Sequence, residues 1–312
     1  MRPPYQQVEH IVFRVAREND STDKGFRPVR IIDNVLFTQG TRHDLLHYRH
    51  HPSAHTWMLT THPIRSTERY IITTFPRYRR ISFVTEPITV TNVAHMLNDY
   101  GVVLSSYKPS HDFQGVWIPH GIGLSLVQGH SRVALSTKKK RISVICSGKQ
   151  LTDYHKQRIL FVKSLQEALG DDIDVFGRES HDIPRKSKGI VPYRYHVVLE
   201  NCCHPHYWTE KIADAYMGEA YPFYAGCPNL HEYFPKESYT PIDIFNIQKS
   251  VETVVALSAS DLWLEKRDAV YMAKKRYLFQ HRRNVKLAHV VNQLAYTLPK
   301  TPDAPCPPSA IQ

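Results

Sequence analysis

The sequence predicts an α/β protein whose second half is a parallel sheet covered by helices. Three observations predict it. Short β-prone runs alternate with amphipathic segments from residue 142 onward, glycines punctuate the ends of those segments, and 312 residues exceed one ordinary domain.

In the first half, strand-like runs fall at 11–15, 35–38, 56–60, 70–75, 81–85 and 102–106, and only 90–100 carries a helical pattern. A polar, basic passage at 131–141 (SRVALSTKKKR) reads as the boundary. Beyond it, 142–146 (ISVIC) is a buried strand. Asp153–Leu169 is a helix with Ile159, Val162, Leu165 and Leu169 on one side and Gly170 as its stop. Ile173–Phe176 is the next strand, closed by Gly177. In 195–203 (YHVVLENCC), Tyr195, Val197, Val198 and Leu199 form a run too short for a helix. Thr209 then suits an N-cap, Ile212, Ala215 and Tyr216 give one apolar stripe, and Gly218 ends it before the strand Tyr221–Ala225. Residues 247–297 are helical, and the five prolines after Leu298 read as an extended or disordered tail. The expected division is 1–135, 136–297 and the tail 298–312.

Composition narrows the function classes. Hydrophobic content of 42% supports real cores, while no apolar run approaches the ~20 residues that span a bilayer and the N-terminus lacks the order of a signal peptide. Five cysteines, an odd number without a CxxC pair, fit a reducing compartment. A soluble, cytoplasmic protein is therefore expected. The net charge of +11 suits nucleic acid, an anionic membrane face or a phosphorylated substrate. Residues 266–286 concentrate basic residues among Tyr271, Tyr277 and Phe279, which reads as a solvated helix face or as peripheral attachment to the inner membrane face.

The strand ending near Glu200 and Asn201 delivers a helix N-terminus at Thr209-Glu210-Lys211. Free backbone N–H groups, the helix dipole and a lysine make that terminus an anion site. In parallel sheets, ligands bind in the crevice at the carboxyl ends of the strands. Glu200, Asn201 and the loop to Lys211 would lie there. The neighbouring Cys202, Cys203, His204 and His206 lack the spaced pairs that let four ligands converge on zinc, so no metal site is expected. The histidines at 43, 47, 50, 51, 55 and 62 have no ligand spacing either and read as surface.

The order Leu199-Glu200-Asn201, Tyr207, Thr209-Glu210-Lys211-Ile212 and Pro222-Phe223-Tyr224-Ala225-Gly226 resembles the hallmark of the α-1,3-fucosyltransferases, glycosyltransferase family 10. Pro235 to Tyr239 and Asp243-Ile244-Phe245 are similar to the family's later Pro-x-x-Ser-aromatic and Asp-x-Phe pieces, and Ser143 to Leu169 and Phe83 to Pro87 extend the likeness. The resemblance implies a GT-B-like architecture, two Rossmann-like domains facing across a cleft, with helices at the C-terminal end. It implies inverting transfer of L-fucose from GDP-fucose to a glycan hydroxyl, with an α-1,3 linkage to an N-acetylglucosamine-type sugar and no cofactor or metal strictly required. A surface polysaccharide or lipopolysaccharide precursor is the acceptor expected for a bacterial source.

Direct displacement needs a base for the acceptor hydroxyl and positive charge for the departing diphosphate. By resemblance, Lys211 and Arg158 contact the diphosphate, Glu210 meets the donor's sugar portion, and Asn201 and Tyr207 line the donor pocket. Glu200 would support them, Glu86 is the expected base, and Arg178 is expected at the guanine or ribose. Each also has a plain reading, such as a surface lysine, a first-turn acid or a solvated strand-end glutamate. Three alternatives stay open: a related transferase using another nucleotide sugar, a basic nucleic-acid-binding protein, and a catalytically inactive family member used as a scaffold. The second lacks any recognised RNA or DNA motif, so nucleotide sugar and glycan are the expected partners.

Overall fold

The computed structural model describes residues 10–15, 27–32, 35–40, 55–60, 75–84, 94–129, 131–177 and 183–297. The chain divides into two compact units, residues 1–120 with 283–312 and residues 121–282. Each is built on its own largely parallel sheet, in keeping with the GT-B-like α/β class.

The first unit carries seven strands: β1 (His10–Val15), β2 (Arg27–Ile32), β3 (Val35–Gly40), β4 (His55–Thr60), β5 (Arg80–Phe83), β6 (Val102–Ser105) and β7 (Val116–Pro119). Their order is β2-β3-β1-β4-β5-β6-β7, parallel except for the β2–β3 pair. β2 and β7 are additional to the sequence reading. Phe75 is not in a strand, and the helical pattern at 90–100 appears only as the 3-10 turn Ala94–Asp99. Residues 70–74 and 90–93 lie outside the described residues.

The second unit carries β8 (Lys140–Ile145), α1 (Asp153–Leu169), β9 (Ile173–Phe176), β10 (Tyr193–Leu199), α2 (Glu210–Met217), β11 (Tyr221–Ala225) and the short β12 (Thr240–Pro241). Then come α3 (Ile247–Ser258), α4 (Leu262–Glu265), α5 (Arg267–Arg276) and a π-helical turn, Tyr277–His281. The sheet order is β12-β11-β10-β8-β9, and every neighbouring pair is parallel. β10 is central and covered on both faces, which is why its sequence is a continuous Tyr/Val/Leu run rather than an alternating one. Phe161 and Leu165 of α1, Ile212 and Tyr216 of α2, and Phe223 of β11 pack with it into one core.

Two differences from the sequence reading concern the boundary. The basic passage at 131–141 is not where the units part. Lys138 is buried, its Nζ donating to the Tyr193 carbonyl at 2.9 Å and the Gly218 carbonyl at 2.7 Å, and residues 140–145 are already β8. Upstream, Ile122 N–H donates to the Trp208 carbonyl at 2.9 Å, so the second unit begins at Gly121. The last helix, α6 (Arg283–Thr297), also departs from its expected place. Its Leu287, Val290, Val291 and Leu294 join Val12, Val35, Trp57 and Ile81 in the first unit's core. Composition told of an apolar helix but not of the sheet that buries it.

Nor is the late basic segment simply solvated. Lys274 is buried, its Nζ donating to the Ser131 carbonyl at 2.7 Å and to Glu219 Oε1 at 3.0 Å. No helix among the described residues is long and apolar enough to cross a membrane.

Candidate active site

In the second unit the chain runs from β8 outward to β9, then returns to the other side of β8 with β10. This reversal opens a crevice at the carboxyl ends of β8 and β10, where neighbouring connections depart in opposite directions. The elements that reach it are α1, the loop after β10 and the start of α2.

Arg158 comes from α1. His155, Arg158, Phe161, Val162, Leu165 and Leu169 form the buried stripe of this helix, so the arginine occupies a core-facing position beside Ile159, which is only half-buried. Its Nη1 donates to Asn201 Oδ1 at 2.8 Å and to the Glu200 carbonyl at 3.2 Å. Nε and Nη2 are buried with no hydrogen-bond acceptor among the described residues. A buried charge with two unanswered donors is costly unless an anion answers them.

Glu200 follows β10 and is fully buried. Its Oε1 accepts from Thr209 N–H at 2.8 Å, and its Oε2 accepts from Thr209 Oγ at 2.6 Å and from Lys211 Nζ at 3.4 Å. Burial pushes its carboxyl above the usual range, and Lys211 and Thr209 pull it back. Thr209 in turn caps α2, its Oγ accepting from Lys211 N–H at 3.2 Å. One glutamate thus ties the strand end, the helix cap and the first-turn lysine together. The supporting role expected of Glu200 has this physical form.

Lys211 and Glu210 occupy the first turn of α2, each side chain roughly a quarter exposed, at 22% and 27%. Burial alone would raise the Glu210 carboxyl, but Lys211 and Lys186 outweigh it and hold it below its ordinary value. Asn201 is half-buried and oriented by Arg158; Tyr207 is buried. Arg158, Asn201, Glu200, Lys211 and Glu210 therefore gather at one crevice, with positive charge at a helix N-terminus. Glu86 and Arg178 lie outside the described residues.

Three features here escaped the sequence reading. Lys186 bridges Glu210 and Asp214, and neither Lys186 nor Asp214 sits in a recognisable motif. Tyr154, one turn ahead of Arg158, lines a cavity of about 650 Å³ with Cys203, Tyr224, Tyr239, Asp243 and Phe245. The i, i+4 spacing from Arg158 was the available signal for Tyr154. Cys202, Cys203, His204 and His206 do not converge: among the described residues no group of three or more His, Cys, Asp or Glu side chains is placed to hold a metal ion. His206 instead takes a left-handed φ of 64° and donates its N–H to Asn229 Oδ1 at 2.7 Å.

Residues 135–295 match the domain family described as Glycosyltransferase family 10 (fucosyltransferase) C-term. The 3-galactosyl-N-acetylglucosaminide 4-alpha-L-fucosyltransferase of Pan troglodytes is 26% identical over 180 residues, covering 55% of this chain and 46% of that protein. The chain thus spans about half the length of that curated relative. Among solved structures, an alpha1,3-fucosyltransferase superposes with a TM-score of 0.55 at 12% identity over 96% of this chain and 93% of that one. An alpha1,3-fucosyltransferase solved with GDP-fucose gives a TM-score of 0.50 at 12% identity, over 91% and 90%. These likenesses show the fold. With its C-terminal domain matched along more than half of the 312 residues, this chain belongs to glycosyltransferase family 10, the fucosyltransferase family.

Proposed function

We propose that the chain transfers L-fucose from GDP-fucose to a hydroxyl of a glycan acceptor, with inversion at the sugar's anomeric carbon. The observation that carries this is the buried Arg158 guanidinium, whose Nε and Nη2 have no acceptor among the described residues, at the crevice that also holds Lys211 and the N-terminus of α2. A diphosphate supplies the oxygens such a fork needs, and family membership, with the GDP-fucose complex of a structural neighbour, supports the choice of donor.

In this reading the acceptor oxygen forms a bond to the anomeric carbon while the bond to the diphosphate breaks, and GDP leaves with the electron pair. Arg158 and Lys211 meet the charge growing on the leaving group, which is where fixed positive charge lowers a barrier most. Glu210 meets the donor's sugar portion, and Asn201 and Tyr207 line the donor pocket. Glu86 takes the hydroxyl proton and Arg178 approaches the nucleoside. The acceptor is a glycan presenting an N-acetylglucosamine-type sugar, joined through an α-1,3 linkage, and the basic, partly apolar surface around α5 allows peripheral contact with an anionic membrane.

A thermal-shift panel of GDP-fucose, GDP-mannose, UDP-sugars and GDP tests the donor. Stabilisation by GDP and more by GDP-fucose is expected. A shift confined to UDP-sugars would overturn the assignment, and no shift with any nucleotide would remove the donor site altogether.

A further inference from the structure

We propose that Lys186 is a positioning residue for Glu210, fixing that carboxylate where it receives the donor's sugar; this rests on the donor-site reading above. Lys186 opens the 3-10 turn Lys186–Gly189 that precedes β10. Its Nζ lies 3.2 Å from Asp214 Oδ2 and 3.5 Å from Glu210 Oε1. Glu210 and Asp214 are four residues apart on α2 and so share one face of the helix.

The two carboxylates are not equivalent. Asp214 is fully buried, and its Oδ1 accepts from Ser125 Oγ at 2.7 Å, Leu126 N–H at 2.6 Å and Val127 N–H at 3.1 Å. Three donors from one loop fix this carboxylate. Its remaining oxygen holds the ammonium, because a buried charge left without a partner is strongly unfavourable. The lysine is thereby pinned from one side and presents its charge to Glu210 on the other. Glu210 has a partly exposed side chain and no other side-chain cation within salt-bridge distance among the described residues. The groups that face Glu210 are Lys211, Lys186 and Glu200; the first two hold its carboxyl ionised against burial.

A lysine that only neutralised Asp214 would matter for folding alone. A positioning lysine alters how the enzyme tells GDP-fucose from GDP, since GDP has no sugar for Glu210 to meet. The decisive comparison is Lys186→Met, Lys186→Arg and Glu210→Gln, each measured for GDP affinity, GDP-fucose affinity, kcat, KM and the pH profile of kcat/KM. For Lys186→Met, kcat/KM falls about tenfold, the effect of one lost charge-assisted hydrogen bond. GDP affinity stays as in the parent, preference for GDP-fucose declines, and the acid limb of the profile moves to higher pH. Lys186→Arg restores most of the preference.

If Lys186→Met keeps both preference and acid limb while Glu210→Gln loses the preference, the positioning role is wrong and the donor reading stands. If Glu210→Gln itself discriminates like the parent, the donor reading of that residue fails and takes this role with it. Should Lys186→Met not fold, Asp214→Asn interrogates the same link: it keeps an acceptor at Oδ1 but turns an amide toward the ammonium. Loss of GDP-fucose preference supports the role, and an unchanged preference overturns it.

Discussion

Gly226 lies directly against Glu200: a Cβ at Gly226 would stand 2.4 Å from the Glu200 Cγ. The glycine is required by space, since Tyr224 OH would also sit 2.7 Å from that Cβ. Two motifs far apart in the sequence, Glu-Asn and Pro-x-Tyr-x-Gly, therefore meet at one contact. Gly226→Ala is expected to displace Glu200 from Thr209 and Lys211, costing about 1 to 3 kcal/mol, as overpacking does. Thermal melting and turnover should fall together. A variant with parent stability and parent turnover would show that Glu200 can move freely, against the tight geometry seen here.

Arg158 gives the second prediction. Replacing it with Met removes the only guanidinium that reaches Asn201 Oδ1 among the described residues, and with it the two free donors. Turnover is expected to drop by about 10², with weaker GDP binding. Lys in its place keeps the charge but loses the planar fork, so partial recovery is expected. Steady-state kinetics with GDP titration checks both variants. Parent GDP affinity in Arg158→Met would mean that the free donors do not face the diphosphate.

Much of the second unit was legible because local chemistry and tertiary packing agree there. The bounds of α1, β9 and β11 match the reading from periodicity and glycine stops, and Thr209 caps α2 through its side chain as its residue type suggests. The first unit was less legible. β7 (VWIP) is four residues long with a terminal proline, and β2 begins Arg-Pro, which are weak strand signals on their own. The boundary was misread because Lys138 looks solvated in sequence, whereas two carbonyls satisfy its ammonium inside the fold. Likewise Lys186 and Asp214 belong to a site only through packing: 28 residues separate them, and no spacing rule connects a 3-10 turn to a helix that follows the next strand.

Thr209 supplies the third prediction. Its Oγ caps the helix and donates to Glu200, so Thr209→Ala removes both functions at once. Loss of a cap costs about 1 kcal/mol, and the buried carboxylate left short of a donor adds about 1 to 3 kcal/mol. Thr209→Ser keeps the hydroxyl and should stay near the parent. Urea melts of the pair decide it. Equal destabilisation by Ala and Ser would assign the effect to the lost methyl group and not to the hydrogen bonds.

The last prediction concerns pH. His196 on β10 is buried, with its Nδ1 2.8 Å from Ser143 Oγ. That hydroxyl donates to the Gly189 carbonyl at 2.6 Å, so its single proton is committed and the imidazole must carry its own proton on Nδ1. Burial, reinforced by the charges of Lys186 and Lys138, pushes the ring down to about 3. An unfolded histidine titrates near 6.5, so between those values the unfolded chain binds a proton that the folded chain refuses. The contribution is complete above the unfolded value and is lost as pH falls toward 3, at up to about 1.4 kcal/mol per pH unit. His196→Asn retains an N–H for Ser143 but cannot titrate. It should be less stable than the parent at pH 7 and lose stability less steeply between pH 6 and 4. Glu200, whose raised carboxyl acts in the opposite sense, is common to both proteins, so the difference in slope isolates the histidine. Chemical denaturation at several pH values measures it, and identical slopes would mean that the ring accepts a proton in the folded state.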